Sequence, residues 1–243
     1  MRINKFLATA GLGSRRSVEE LVANGKIKVN DKIVVDLATR IDENKDIVFF
    51  KNKRIILPQT KIYVMLNKPV GYISTSSDPF ARDTVFNLLP KFPVRIFSVG
   101  RLDKPSSGLL LFTNDGEWAN KITHPKTKIQ KVYIVHVKGN ISKDDLYKLR
   151  NGVQLKEGKT LPAKVFVKSY NKSNDISKIR IVLYEGKKRQ IRRMIENIGH
   201  TVTELKRTKV HSIRLADLSE GSWRYLKDKE ISSIRKPNLY KRK

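Results

Sequence analysis

Gly100-Arg101-Leu102-Asp103 runs into Lys104-Pro105-Ser106-Ser107-Gly108 and then into the apolar stretch Leu109 to Phe112. That order sets one carboxylate at the mouth of a Pro/Ser/Gly turn, immediately ahead of what reads as a buried strand. A carboxylate so placed faces a cleft while the strand behind it stays fixed, as a nucleophile or general base requires. Taken alone, the tetrapeptide is more often structural, because most Asp residues beside Pro, Ser and Gly only cap turns or solvate loops. The rest of the chain has to decide.

Its charge is the first constraint. The 243 residues carry 51 Lys and Arg against 23 Asp and Glu, a formal net charge of +28. The excess runs along the whole chain, and such a field draws in nucleic acid by neutralising phosphates and releasing counterions. An anionic membrane surface is the competing partner, but the sequence holds no long amphipathic helix with a bulky apolar face. A lone Asp amid cations in an RNA-binding chain is therefore an enzyme hypothesis. There is no cysteine, which excludes disulfides, Cys-ligated zinc and a thiol nucleophile. His124, His136, His200 and His211 are scattered without ligand spacing, so no metal site is expected. Neither a Gly-rich phosphate loop nor a dinucleotide fingerprint is present, and no cofactor is expected. The start, Met1-Arg2-Ile3-Asn4-Lys5, has no apolar core of signal-peptide length, so the expected location is the cytoplasm.

The elements that must position Asp103 fall into two groups. Residues 1–60 read as a small domain with its linker. Ile3, Phe6 and Leu7 recur at helical spacing up to Gly11-Leu12-Gly13, and a second helix follows, capped by Ser14 or Ser17, with Val18, Leu21 and Val22 inward. Ile27 to Val29 and Ile33 to Val35 form a hairpin through Asn30-Asp31, Ile47 to Phe50 is a third strand, and Lys51-Asn52-Lys53-Arg54 reads as a basic linker. Residues 61–243 read as a larger α+β domain. Strands are expected at Ile62 to Leu66, Leu109 to Thr113, Gln130 to Lys138 and Ile179 to Tyr184. Helices are expected from Ser142 to Arg150 and from Arg189 to Ile198. Strands and helices do not alternate regularly, which predicts a mixed, mainly antiparallel sheet flanked by helices. Asp115 fits an Asn-Asp-Gly turn, and the stretch from Arg235 to Lys243 reads as a mobile basic tail that could hold RNA.

The first group resembles an S4 RNA-binding domain, two helices on a small sheet, through Lys5-Phe6-Leu7, Ser14-Arg15-Arg16 and Gly25-Lys26-Ile27-Lys28-Val29-Asn30. The resemblance implies that Lys5, Arg15, Arg16, Lys26 and Lys28 grip structured RNA, mainly through phosphates and shape. The second group resembles the pseudouridine synthase family, in the branch that carries an S4 domain and modifies ribosomal RNA. Four segments carry this: Asn67-Lys68-Pro69 with Gly71, Gly100 to Asp103 with Gly108-Leu109-Leu110, Lys131-Val132-Tyr133, and Glu185-Gly186-Lys187 with Arg189 to Met194.

The resemblance implies that Asp103 acts at C1′ or C2′ of a flipped-out uridine, attacking the one or taking a proton from the other. It implies that Tyr133 packs on the uracil and helps remove the C5 proton. Arg192 is the arginine expected to pair with the Asp103 carboxylate, with Arg189 and Arg193 as alternatives. Since residues 192 and 193 lie on different helix faces, one of them enters the cleft. Leu205 is either the apolar residue below the uracil or a plain core leucine. Arg101 aids the flip or meets a phosphate, and Lys68 could also meet RNA. The partner is ribosomal RNA or a pre-ribosomal particle, and a monomer is the default. Thr113-Asn114-Asp115-Gly116 and His124-Pro125 favour the large-subunit branch over the small-subunit one. An S4-bearing binding or assembly factor without activity is the rival from another class.

Overall fold

The computed structural model describes residues 1–76, 78, 80 and 82–235. The basic stretch after Arg235 lies outside them. The chain divides into two compact units, the first formed by Met1–Ile62 with Phe92–Ile96 and Asn114–Gly116, the second by the rest of the described chain.

The first unit begins with α1 (Ile3–Thr9) and α2 (Arg15–Ala23), then β1 (Ile27–Val29), β2 (Lys32–Val34), β3 (Val48–Phe50) and β4 (Lys53–Ile55). Ser14 caps α2 by accepting from the Ser17 amide at 3.1 Å, so the cap falls at the first of the two expected serines. Ile3, Phe6 and Leu7 of α1 bury against Val18, Val22, Ile27, Ile41 and Val48. Both hairpins of the antiparallel sheet, whose order is β2-β1-β3-β4, use two-residue loops with positive φ throughout. These are Asn30 and Asp31 in one, Lys51 and Asn52 in the other. That backbone matches the right-handed twist of the paired strands. The second hairpin corrects the sequence expectation: Lys51 to Arg54 is no linker but a turn and the start of β4.

The second unit holds β5 (Tyr63–Lys68), β6 (Phe97–Val99), β7 (Ser107–Thr113), α3 (Gly116–Thr123), β8 (Lys131–Lys138), α4 (Lys143–Asn151), β9 (Gln154–Leu155) and β10 (Gly158–Lys159). It continues with β11 (Lys164–Asn171), β12 (Ile176–Leu183), α5 (Gln190–Asn197), β13 (Thr201–Val210), β14 (Ile213–Arg214), β15 (Trp223–Tyr225) and α6 (Asp228–Arg235). Nine strands form one mixed sheet of order β11-β12-β8-β13-β7-β5-β15, with β14 beside β13 and β6 beside β7. The β13–β7 pairing is parallel and every other strand pairing in the sheet is antiparallel. The α+β class and the mainly antiparallel sheet agree with the sequence reading.

β13 is the longest strand and lies mid-sheet, yet its sequence, Thr-Val-Thr-Glu-Leu-Lys-Arg-Thr-Lys-Val, does not alternate cleanly. Two register shifts against β8, between Val202 and Glu204 and between Arg207 and Lys209, interrupt the two-residue period. β7 meets β13 at Ser107–Lys206 and Gly108–Arg207. Gly108 has φ 102°, and a Cβ on it would stand 2.3 Å from the Arg207 carbonyl oxygen. Only glycine allows this approach. Gly108→Ala is expected to lower stability by about 2–4 kcal/mol through backbone strain and overlap; urea unfolding of the two proteins checks it.

Candidate active site

The Gly100–Ser106 loop joins β6 to β7 and carries Asp103, half-buried, on the wall of a cleft of about 370 Å³. That volume is within the range of pockets that enclose one small-molecule-sized group. Every carbonyl from Leu102 to Ser106 has a donor. The Leu102 carbonyl accepts from the Ser74 hydroxyl at 2.8 Å, and the Ser74 oxygen in turn accepts from the Leu102 amide at 3.2 Å. The Ser106 amide donates to the Asp103 carbonyl at 3.0 Å and the Gly71 amide to the Lys104 carbonyl at 2.9 Å. Arg192 Nη2 donates to the Pro105 carbonyl at 2.8 Å.

Lys68 holds this turn from beneath. It ends β5 with no exposed surface, and its ammonium donates to the carbonyls of Pro69 at 2.9 Å, Asp103 at 3.3 Å, Lys104 at 3.4 Å and Ser106 at 2.7 Å. Burial lowers its pKa to about 8, against the opposing pull of the negative charges on Asp103 and Glu220. A buried ammonium is tolerated only where carbonyls replace its water. The expectation that Lys68 meets RNA is thereby corrected: its side chain is enclosed by the turn that it braces.

Arg192 is also buried, at 8% exposure, and its Nη1 donates to the Val202 carbonyl at 3.1 Å. Burial first, then the nearby Arg189, push its pKa down, while Asp103 and Glu196 favour its charge. Among the described residues neither Lys68 nor Arg192 reaches the Asp103 carboxylate at ion-pair distance. The fork expected around that carboxylate instead grips backbone, because the Pro105 and Val202 carbonyls lie where α5 projects it. Arg192 thus acts on Asp103 by holding its turn and by through-space charge. Arg189, at the start of α5 with φ 50°, lines the cleft. Arg193 turns away to grip Glu157.

Tyr133 on β8 and Leu205 on β13, each 8% exposed, line the same cleft as Asp103. Arg101 is exposed and lines it too. The sequence reading singled out neither Lys131 nor Arg207 as a cleft residue, and both line it. Lys131 shares Tyr133's face of β8, two residues away, so strand parity would have found it. Burial and then Arg207 lower its pKa to about 8, with Glu185 opposing. Arg207 is buried, donates from Nε to the Leu109 carbonyl at 2.7 Å and lies opposite Tyr133 in the ladder. Glu185 accepts from the Leu161 amide at 2.8 Å and from Gln190 Nε2 at 2.6 Å. The cleft therefore presents one carboxylate on an immobilised turn, a tyrosine and leucine wall, and a rim of cations.

In the first unit Arg15, Arg16, Lys26 and Lys28 are exposed and Lys5 is half-buried on α1. Among the described residues no cluster of three or more His, Asp or Glu side chains has metal-site geometry, and no helix is long and apolar enough to cross a membrane.

A cleft on one face of a mixed sheet, with a carboxylate on a strand-entry turn, is the arrangement to which comparison with known proteins gives a name. The family model described as RNA pseudouridylate synthase matches residues 62–197, and that of the S4 domain matches residues 1–47. The chain belongs to the RNA pseudouridylate synthase family. It is 42% identical to ribosomal large subunit pseudouridine synthase B of Bacillus subtilis, over 96% of this chain and 95% of that one. It is 38% identical to an uncharacterized RNA pseudouridine synthase of Aquifex aeolicus, over 96% and 93% of the two chains. A crystal structure of a pseudouridylate synthase superposes with a TM-score of 0.69 at 28% identity, covering 96% of this chain and 99% of the other.

Lys68→Met should lower stability by about 2–4 kcal/mol, since it leaves buried carbonyls without a donor. It should also change the pH dependence. Between about pH 8, where folded Lys68 loses its proton, and about pH 10.4, where an unfolded lysine does, the unfolded chain binds more protons. In that window Lys68 makes stability rise with pH. Urea midpoints measured from pH 7.5 to about 10 should climb less in Lys68→Met than in the parent.

Proposed function

We propose that this protein converts a uridine of large-subunit ribosomal RNA into pseudouridine, with Asp103 as the catalytic residue. The observation that carries the reading is the half-buried Asp103 carboxylate on a turn whose every carbonyl is held, facing a nucleoside-sized cleft. The similarity to a large-subunit enzyme over nearly the whole chain supports the choice of RNA.

The reaction breaks the C1′–N1 bond, turns the uracil and joins C5 to C1′; the proton lost from C5 is balanced by the one gained at N1. Loosening the glycosidic bond builds positive charge on the sugar, which a fixed carboxylate stabilises or traps. Asp103 does so by attack at C1′ or by taking the C2′ proton. Tyr133 packs against the uracil with Leu205 below it, and Arg101 meets the RNA where the nucleotide leaves its stack. Arg192 and Lys68 position Asp103 rather than touch substrate. Atoms and electrons balance without an added reagent, so the chemistry calls for no redox cofactor.

Residues 1–60 serve as the S4-like RNA grip through Lys5, Arg15, Arg16, Lys26 and Lys28, and residues 61–243 serve as the catalytic domain. Ribosomal RNA as substrate supports a cytoplasmic location, and we read the protein as a monomer working on ribosomal RNA or a pre-ribosomal particle.

Pseudouridine mapping on large- and small-subunit transcripts and on immature particles tests this. A new pseudouridine is expected in large-subunit RNA and none with Asp103→Asn, whose RNA affinity should stay nearly unchanged. Product confined to small-subunit RNA would overturn the substrate, and turnover by Asp103→Asn would overturn the residue. Replacing Arg15 and Arg16 together by Glu should weaken RNA binding and reduce the slope of log K against log salt by about 2, one phosphate contact each.

A further inference from the structure

The cleft uses one face of the β11-β12-β8-β13 sheet, the face of Tyr133 and Leu205. The opposite face is open. Residues directly opposite in register share a face, and the row Phe166–Arg180–Ile134–Lys206 crosses all four strands. Phe166 is 40% exposed on the edge strand, and Ile134, Arg180 and Lys206 are half-exposed. The Arg180 guanidinium sits 4.4 Å from the Phe166 ring centroid. The flanking rows add Lys164, Lys178 and Lys209. The only carboxylate in these three rows is Glu204, already paired with His136 at 2.7 Å.

An aromatic ring backed by a guanidinium, set in a field of five cations to one carboxylate, suits a strand of stacked bases on a phosphate backbone. A protein partner would more often meet a wholly apolar centre with charge at the rim, whereas here Arg180 and Lys178 stand at the centre on β12, beside Ile134 and the Val182–Val132 pair, with Lys164, Lys206 and Lys209 at the row ends. We infer that this back face is a second RNA-binding surface, which holds a single-stranded segment of the substrate with a base stacked on Phe166. The inference rests on RNA as the substrate and extends it to a surface that does no chemistry. An antiparallel sheet with one solvated face supplies such a platform because alternate residues of every strand point the same way.

The full chain is compared with Phe166→Ala, Phe166→Tyr and Lys178→Glu for binding of a single-stranded oligoadenylate, which contains no uridine and cannot be turned over. Fluorescence anisotropy should show binding about tenfold weaker for Phe166→Ala and for Lys178→Glu, with Phe166→Tyr close to the parent. Photo-crosslinks from the same oligonucleotide should fall on β11 and β12. Turnover of a minimal stem-loop around the target uridine should be unchanged in these variants, while KM for the complete ribosomal RNA rises by a similar factor. Equal affinities in all four proteins, or crosslinks confined to other surfaces, would overturn the inference and leave the face to a protein partner. Absence of pseudouridine from every substrate would defeat the proposed activity alone, since the oligoadenylate measurements do not depend on it.

Discussion

The buried ammonium of Lys68 is the constraint on which the site is built. A charge with no exposed surface must find its solvation in the protein, and here it finds four backbone carbonyls, three of them in the turn that carries Asp103. Lys68 ends β5 opposite Gly108, and Gly108 opens the way for β7 to approach β13. One residue pair thus ties the turn, the sheet seam and the cleft wall together. An apolar residue in its place would carry no desolvation cost but would remove every donor, leaving buried carbonyls unpaired.

Positive charge then acts at two ranges. Across the whole chain the excess of +28 favours a polyanion without choosing one. Inside the site the cations are aimed. Lys68 and Arg192 serve backbone and act on Asp103 through space, Lys131 and Arg207 line the cleft, and Arg101 stands at its exposed edge. Burial lowers the pKa of Lys68 and of Lys131 alike to about 8, so the site's charge is set by enclosure as much as by composition.

Much of this was legible in the sequence, and the exceptions have separate causes. α1, α2 and the first hairpin could be read from apolar spacing and Asn30-Asp31, as could β5, β7, β8, α4, β12 and α5 from period and caps. β13 escaped because two bulges break its alternation, and with it went Arg207. β4 escaped because Lys51-Asn52 looks like solvated linker, whereas both residues take the positive φ of a tight hairpin. Asp103, Tyr133, Leu205 and Arg101 line one cleft in keeping with the motif reading. The bracing roles of Lys68 and Arg192 did not show, because a side chain that solvates backbone leaves no pattern in residue types: its partners are carbonyls, which every residue has.

The parallel contact between β7 and β13 comprises just Ser107–Lys206 and Gly108–Arg207. On one side of it β11, β12, β8 and β13 form long antiparallel ladders, and on the other β7 pairs along its length with β5. Asp103 belongs to the second half, Tyr133 and Leu205 to the first. The sheet is therefore two halves with long ladders, joined by a short parallel seam, and the cleft wall draws residues from both. Beyond those two pairs, Arg192 bonds the Val202 and Pro105 carbonyls at once and Arg207 on β13 bonds the Leu109 carbonyl on β7, so side chains clamp the two halves across the seam. The seam and its two arginine clamps together fix the turn of Asp103 relative to the strands of Tyr133 and Leu205.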